Sequence, residues 1–305
     1  MTNDFVSKIA LTTIFLALLF PVVLSLFATE VPQDWILYTN GPKLEELMLV
    51  KSDLVVIDYS ADGTDKKAFK KEDIALLQSQ GKKVFSYLNF AVAENWRFYW
   101  SSLDKAIVLA SLDNWPGEYY IKYWYTEWYD VVKQYIKRIT SAGFNGVALD
   151  WINIYQHTKL QKLSGKNAEA LKKAMVENLR KITNDFPQLE YALVNGEDIL
   201  FEFPDLREKA KYIIVESLFF SKGQLVTNTE DFVRRVNKLT QLVKNGITVL
   251  SVEYIDNGNP FDNKNVERIK TYVSLARKYK FKYYIARLDM KLNVVNIPRI
   301  PKSKD

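Results

Sequence analysis

The chain has 305 residues, 48% hydrophobic and 26% charged, with a formal net charge of +6. It contains no cysteine and one histidine, His157, which excludes disulfides, zinc–thiolate sites, a cysteine nucleophile and a histidine-rich metal site. Lys and Arg are dispersed rather than clustered, so nucleic-acid binding is not indicated. We interpret His157 as an ordinary surface residue.

The first predicted element is an apolar N-terminal segment. Lys8 is followed by about twenty almost purely apolar residues, enough to cross a bilayer. Terminal position and polar flanks predict a signal peptide or membrane anchor over residues 1–29, with a buried core helix as the alternative. Cleavage near Ala28 stays open, because Leu26 departs from the small-x-small pattern. We therefore expect the protein outside the cytoplasm, secreted or held at the membrane by this segment.

Strand-length apolar runs then alternate with segments of helical period. The eight strand candidates are residues 34–40, 53–59, 83–89, 145–151, 190–196, 211–217, 247–254 and 282–288. Their β-branched and aromatic content is typical of parallel strands buried on both faces. Helical segments between them begin at polar residues and several end at glycine, as at Gly81, Gly143 and Gly246.

Eight strands with intervening helices predict an α/β fold, a (β/α)₈ TIM barrel over residues 30–297, with a doubly wound open sheet as the alternative. The sequence has neither a GxGxxG nor a GxxxxGK[ST] loop, so no nucleotide cofactor is expected. No strong helical pattern follows the eighth strand, so the last helix is predicted to be missing and residues 298–305 to form an irregular tail. The stretch from Phe90 to Tyr125 is interpreted as a large loop insertion.

Polar side chains stand at the carboxyl ends of most strand candidates, where barrel enzymes place their reacting groups. They are Asp58, Asn89, Asp150, Asn195, Glu216, Glu253 and Arg287. Strand alternation predicts that Asp150, Glu216 and Glu253 point into the barrel mouth. Each carboxylate also has a structural alternative, a helix N-cap for the aspartates and a salt bridge for the glutamates, and Asn195–Gly196 also fits a turn.

Asp150 and Glu216 end strands that are two apart in the predicted barrel, about 10 Å between backbones. Side chains that lean inward would bring the carboxyl groups to about 5 Å, the separation of a retaining glycosidase. Asp150 would then be the nucleophile and Glu216 the acid and later the base. A gap of about 7–9 Å would instead indicate an inverting mechanism.

The insertion is dense in aromatic residues. Trp96, Trp100, Trp115 and Trp124 are candidates for sugar stacking, with core packing as the alternative, and Glu118 is a further candidate for the acidic mouth. Tyr87 and Trp151, beside the polar strand ends, complete the predicted substrate-binding set. An acidic cleft in a chain of positive net charge favours a cationic or amino sugar.

The chain resembles glycoside hydrolase family 114, the endo-α-1,4-polygalactosaminidase-like secreted TIM barrels. The resemblance is carried by several sequence blocks in the same order, including "DLVVIDYS", "YLNFAVAENWR", "GFNGVALDWINIY", "YALVNGED" and "YIIVESLF". The likeness covers about residues 31–290. It implies a retaining hydrolase of galactosamine-containing polysaccharide, with the family's strand-four Asp at Asp150 and its strand-six Glu at Glu216. The chain departs from the family at Asn153 and Lys122, where relatives often carry acids, and in "NFAVAEN", which lacks a usual glycine.

The first hypothesis is therefore an exported or membrane-anchored retaining glycosidase whose partner is a polysaccharide or oligosaccharide. We expect no cofactor, no resident metal and no nucleic-acid partner. Two alternatives stay open: a non-catalytic carbohydrate-binding or surface-polysaccharide assembly protein on the same fold, and a hydrolase that uses the acidic mouth for Ca²⁺ or Mg²⁺.

Overall fold

The computed structural model describes residues 27–302, so the apolar stretch that carries the targeting prediction lies outside the described residues. The strands are β1 (Ala28–Glu30), β2 (Ile36–Tyr38), β3 (Leu54–Asp58), β4 (Lys83–Asn89), β5 (Val92–Glu94), β6 (Val108–Ser111), β7 (Glu118–Ile121), β8 (Gly146–Asp150), β9 (Glu190–Val194), β10 (Ala210–Glu216), β11 (Phe220–Ser221), β12 (Gln224–Leu225), β13 (Thr248–Asp256), β14 (Lys282–Arg287) and β15 (Arg299–Pro301). The α-helices of the same region are α1 (Leu44–Met48), α2 (Lys71–Ser79), α3 (Thr126–Ser141), α4 (Thr158–Ser164), α5 (Ala168–Asp185), α6 (Glu197–Glu202), α7 (Pro204–Lys209), α8 (Glu230–Lys244) and α9 (Asn263–Tyr279).

Eight parallel strands form the central sheet in the order β2, β3, β4, β8, β9, β10, β13 and β14. The first and last strands meet through Asp34, whose N–H donates to the Tyr283 carbonyl at 3.1 Å and whose carboxylate accepts the Tyr283 N–H at 3.0 Å. Sequential strand order with this closure is the arrangement of a (β/α)₈ barrel, which confirms the predicted fold and every predicted barrel strand. The doubly wound alternative is wrong, because its strand order would reverse at a switch point.

The helices cover the barrel with apolar stripes that the sequence spacing sets. In α3 the buried residues are Trp128, Val132, Tyr135, Ile136 and Ile139, which repeat at three and four positions. Some of the longer helices start at side-chain caps: Asn167 accepts the Ala170 N–H, and Thr229 accepts the Phe232 N–H. Burying each large aliphatic side chain stabilises the fold by about 1.5–3 kcal/mol, so this outer layer stabilises the barrel beneath the mouth.

The insertion after β4 was predicted to be a loop, and this prediction is wrong. The insertion carries a three-stranded antiparallel sheet in the order β5, β7, β6. In the register of β5 and β7, Glu94 lies opposite Glu118 and Val92 opposite Tyr120. This small sheet forms a wall beside the carboxyl ends of the barrel strands, because β5 follows β4 after only two residues.

The C-terminal part differs from the prediction in one respect. Residues 288–302 contain no helix, as expected, but Arg299–Pro301 is not irregular: it pairs antiparallel with Ala28–Glu30. The backbone N–H of Val31 extends this pairing by donating to the Pro298 carbonyl at 2.8 Å. Both ends of the described chain are thus held together. Within residues 27–302, no helix has both the length and the apolarity needed to cross a bilayer.

Candidate active site

A cavity of about 790 Å³ opens at the carboxyl ends of the barrel strands. Nine of the eleven predicted site residues line it: Asp58, Tyr87, Asn89, Trp96, Glu118, Asp150, Trp151, Asn195 and Glu216. Seven of them converge because parallel strands bring their carboxyl ends to one rim and the register aligns their inward faces: Asn89 pairs with Asp150, and Asp58 with Tyr87. Trp96 and Glu118 come from the insertion.

Asp150 ends β8 with both carboxylate oxygens engaged. Oδ1 accepts the backbone N–H of Trp151 at 2.6 Å, and Oδ2 accepts the hydroxyl of Tyr87. Burial raises the pKa of Asp150 to about 7, with a further contribution from the negative charge of Glu216. The two carboxyl groups therefore interact electrostatically across the cavity that both of them line.

Glu216 ends β10 in a comparable setting. Its Oε1 accepts the hydroxyl of Tyr254 at 2.5 Å, and its Oε2 accepts the amide N–H of Asn195 at 3.2 Å. The Asn195 Oδ1 accepts the Glu216 backbone N–H at 3.1 Å and an N–H of Arg235 at 3.2 Å. Because both of these groups are donors, they fix the amide orientation and turn its NH₂ toward Glu216.

The residues that follow three successive barrel strands have left-handed backbone conformations. They are Trp151 (φ 59°), Asn195 (φ 50°) and Ser217 (φ 50°), and all three line the cavity. Such a conformation costs a non-glycine residue about 1–3 kcal/mol and concentrates at functional sites. The sharp turn after Asp150 brings the Trp151 N–H onto the carboxylate, which explains why the strand ends on an acid beside an indole.

Asp58 lines the cavity, but its carboxylate is occupied by a cation that the sequence did not single out. Arg97 donates to both Asp58 oxygens at 2.9 and 2.7 Å and to both Glu94 oxygens at 2.8 and 2.9 Å. The Ser60 N–H donates to Asp58 at 2.9 Å as well. The side chains of the three charged residues are at most 7% exposed. This buried cluster ties the insertion to β3.

Glu118 has no comparable partner. Glu118 lies on β7, opposite Glu94 of β5, and its Oε2 is buried without a hydrogen bond from any described residue. Burial raises the pKa of Glu118 to about 8, helped by the charges of Glu94 and Asp150.

Aromatic side chains form two parts of the rim. The Trp96 ring sits between Gly63 and Gly117. A Cβ added at Gly63 would lie 2.7 Å from this ring, and a Cβ added at Gly117 would lie 2.6 Å from it. Trp115 and the cavity residue His157 both meet Trp151 edge to face, at centroid distances of 6.4 and 5.7 Å.

The aromatic predictions divide in two. Trp96 and Trp115 line the cavity, whereas Trp100 stacks on Tyr119 and Trp124 packs against Tyr123, both outside it. His157 is half-buried in the cavity wall rather than an ordinary surface residue, and burial lowers its pKa.

Glu253 and Arg287 do not reach the cavity. The β10–β13 register pairs Glu216 with Val252, so the inward face of β13 runs through Val252 and Tyr254, and the predicted face of Glu253 is wrong. Glu253 is fully buried and accepts the N–H groups of Phe219 and Phe220 at 2.8 and 3.1 Å.

Arg287 instead binds Asp256 at 3.1 Å, because β14 pairs alongside β13 and places the two residues opposite each other. Cavity residues that the sequence did not suggest include Tyr254, Glu94 and Arg97. The available signal for Tyr254 was its position two residues after Val252, which places both side chains on the same face of β13. Among residues 27–302, no group of three or more His, Asp or Glu side chains is arranged to hold a metal ion.

Residues 28–299 match the family model of glycoside-hydrolase family GH114. The chain belongs to this family. The predicted family and the predicted enzyme class, glycoside hydrolase, are thereby confirmed.

Similar proteins include an uncharacterized protein of Thermotoga maritima, 29% identical over 300 residues and covering 92% of each chain. Another is an uncharacterized protein of Methanocaldococcus jannaschii, 27% identical over 273 residues that cover 86% of this chain and 78% of the relative.

Two solved structures share the fold. The glycoside hydrolase domain of PelA from Pseudomonas aeruginosa superposes with a TM-score of 0.66 at 17% identity, over 86% of this chain and 97% of that domain. Aspergillus fumigatus Ega3, solved in complex with galactosamine, superposes with a TM-score of 0.65 at 17% identity, over 88% and 96%.

Proposed function

We propose that this glycoside hydrolase cleaves galactosamine-containing polysaccharide with retention of anomeric configuration, with Asp150 as nucleophile and Glu216 as acid and base. The observation that carries the proposal is that two carboxyl groups, Asp150 from β8 and Glu216 from β10, both lie in the wall of one cavity. Each of them accepts a hydrogen bond from a tyrosine hydroxyl. Retaining glycosidases use two such groups on either side of the scissile bond.

The hydrogen bonds at Asp150 suit the role of a nucleophile. Burial and the charge of Glu216 raise the pKa of Asp150 to about 7. Two donors, the Tyr87 hydroxyl and the Trp151 N–H, oppose this shift by stabilising the Asp150 carboxylate. The proposal therefore assigns to Asp150 the ionised form that these two donors favour.

In the first step, an Asp150 oxygen attacks the anomeric carbon while Glu216 transfers its proton to the leaving glycosidic oxygen. The glycosidic C–O bond breaks and a covalent glycosyl-enzyme ester forms. In the second step, Glu216 takes a proton from a water molecule whose oxygen attacks the same carbon. The ester bond breaks, Asp150 leaves as a carboxylate, and the product keeps the original anomeric configuration.

The charge of the cavity favours an amino sugar. Six lining residues carry carboxyl groups, namely Asp58, Asp62, Glu94, Glu118, Asp150 and Glu216, and the lining cations are Arg97 and Lys291. Arg97 is already paired within the cluster, so the cavity has more carboxyl groups than free cations. Such a lining attracts a cationic ligand. The galactosamine bound by Ega3, a similar fold, has this chemistry.

We further propose that the enzyme works outside the cytoplasm, directed there by the apolar segment that follows Lys8. Fractionation of cells that express the full chain, with protease protection, tests this location. Detection of the protein only in the cytoplasmic fraction would contradict it.

The decisive experiment is turnover by the full chain on an α-1,4-linked galactosamine polymer, with starch and polygalacturonate as comparison substrates. We expect new reducing ends from the amino-sugar polymer, and an α-anomer as the first product in ¹H NMR. Asp150→Asn and Glu216→Gln should each lower turnover by at least about 10²-fold. A first-formed β-anomer would refute retention. Binding without turnover by the unmodified chain would favour the non-catalytic alternative.

A further inference from the structure

Glu118 is a buried acid without a compensating cation. It is nine-tenths buried, lines the cavity, and its Oε2 has no hydrogen-bond partner among residues 27–302. The guanidinium of Arg97, which satisfies Glu94, is fully used by Glu94, Asp58 and the Gly63 carbonyl. A buried carboxyl oxygen left without a partner costs about 1–3 kcal/mol, so its retention needs another reason.

The position of Glu118 increases that cost. In the antiparallel register it stands directly opposite Glu94, and like charges in that arrangement destabilise a sheet. Both its burial and the nearby charges of Glu94 and Asp150 raise the pKa of Glu118. A positive group of a ligand in the cavity would relieve both the repulsion and the missing hydrogen bond.

We propose that Glu118 is a specificity-determining residue that binds the free ammonium group of a hexosamine unit near Asp150, and so selects de-N-acetylated substrate. The inference rests on the proposed function, since it refines which amino sugar the same cavity accepts. An ammonium group has three donors and a full charge for this carboxylate. An N-acetylated sugar lacks the charge, adds an acetyl group, and leaves the carboxyl unpaired, which is how a polar site rejects a close analogue.

Ammonium binding requires the ionised form of Glu118, whereas burial favours the protonated form in the empty cavity. Binding at neutral pH should therefore release a proton. If Glu118 instead stayed protonated and donated to a sugar hydroxyl, binding would release none and would not depend on the amino group. The two possibilities thus differ in a measurable quantity.

The test measures calorimetric binding at pH 7 in two buffers of different ionisation enthalpy. The protein is the full chain carrying Glu216→Gln, so that ligands are not cleaved, and the probes are galactosamine oligosaccharides and their N-acetylated counterparts. Adding Glu118→Gln should weaken binding of the amine by about tenfold or more, change binding of the N-acetylated form less than twofold, and abolish proton release.

Glu169→Gln is the matched control, since it removes one negative charge from an exposed position on α5. It should change neither affinity nor proton release. Thermal unfolding confirms that each variant is folded.

An equal loss for both probes, no loss for either, or no binding by the Glu216→Gln chain would overturn the inference. If the unmodified chain cleaves the amino-sugar polymer while Glu118→Gln keeps its preference, the proposed function stands and this inference fails. If the unmodified chain cleaves nothing while Glu118 still sets the binding preference, the proposed function fails and the inference stands.

Discussion

Removing the guanidinium of Arg97 should destabilise the protein far more than removing a similar arginine at the surface. In the buried cluster, Arg97 makes four hydrogen bonds of 2.7–2.9 Å to two carboxylates, with side chains no more than 7% exposed. Arg97→Met would leave Asp58 and Glu94 buried, unpaired and close together. Losing one member of a buried ion pair costs about 3–5 kcal/mol.

Arg180 provides the comparison within the same chain. It binds Asp205 through two hydrogen bonds of 2.6 and 3.0 Å, but the two side chains are 44% and 52% exposed. Water solvates both charges when the pair is broken, so Arg180→Met should cost about 0–1 kcal/mol. Burial, rather than the bidentate geometry, is thus the variable that the comparison isolates.

The assay is equilibrium urea unfolding of the wild type and both variants at pH 7, with a second series at pH 4. Protonation removes the repulsion between the stranded carboxylates, so the cost of Arg97→Met should shrink at pH 4. Equal costs for the two arginine variants at pH 7 would refute the reasoning. A cost for Arg97→Met that did not fall at pH 4 would show that lost packing, not unpaired charge, dominates.

Three further predictions follow from the site. Glu118→Gln should gain stability relative to wild type as pH rises from about 5 to 8, because the folded-state pKa of about 8 lies above the usual 4.5 and makes wild-type stability fall over that window. Arg235→Met should lower kcat by about tenfold or more and shift the pH–rate profile with little change in KM, because the Asn195 amide loses the donor that helps fix its orientation toward Glu216. Gly117→Ala should raise KM and destabilise the fold, because its Cβ would lie 2.6 Å from the Trp96 ring.

Each of these predictions has a control. Urea unfolding of Glu169→Gln across the same pH range should parallel the wild type, and a parallel curve for Glu118→Gln would contradict the first prediction. Arg235→Lys should restore part of kcat, and an unchanged pH–rate profile in Arg235→Met would assign a purely structural role. Gly246 shares the φ of +87° found at Gly117 but has nothing within 4 Å of an added Cβ, so Gly246→Ala should show the backbone penalty alone and leave KM unchanged.

Much of the architecture could be predicted from the sequence because its signals are local. Apolar runs and helical periods gave the barrel, and the ends of the runs gave Asp150, Asn195 and Glu216, since parallel strands necessarily carry their carboxyl ends to one rim. The small sheet within the insertion was missed, because its strands of three and four residues are too short for a periodic pattern.

What the tertiary structure decided was which polar groups meet. The face of Glu253 depended on the register between β10 and β13, and a shift of one residue exchanges the two faces of a strand. Arg97 and Asn195 each have one partner about 40 residues away, at Asp58 and Arg235. Likewise, Glu118 stands opposite Glu94 only because β5 and β7 pair. Composition and periodicity carry no information about such long-range pairings, so the charge balance of the cavity follows from the folded arrangement alone.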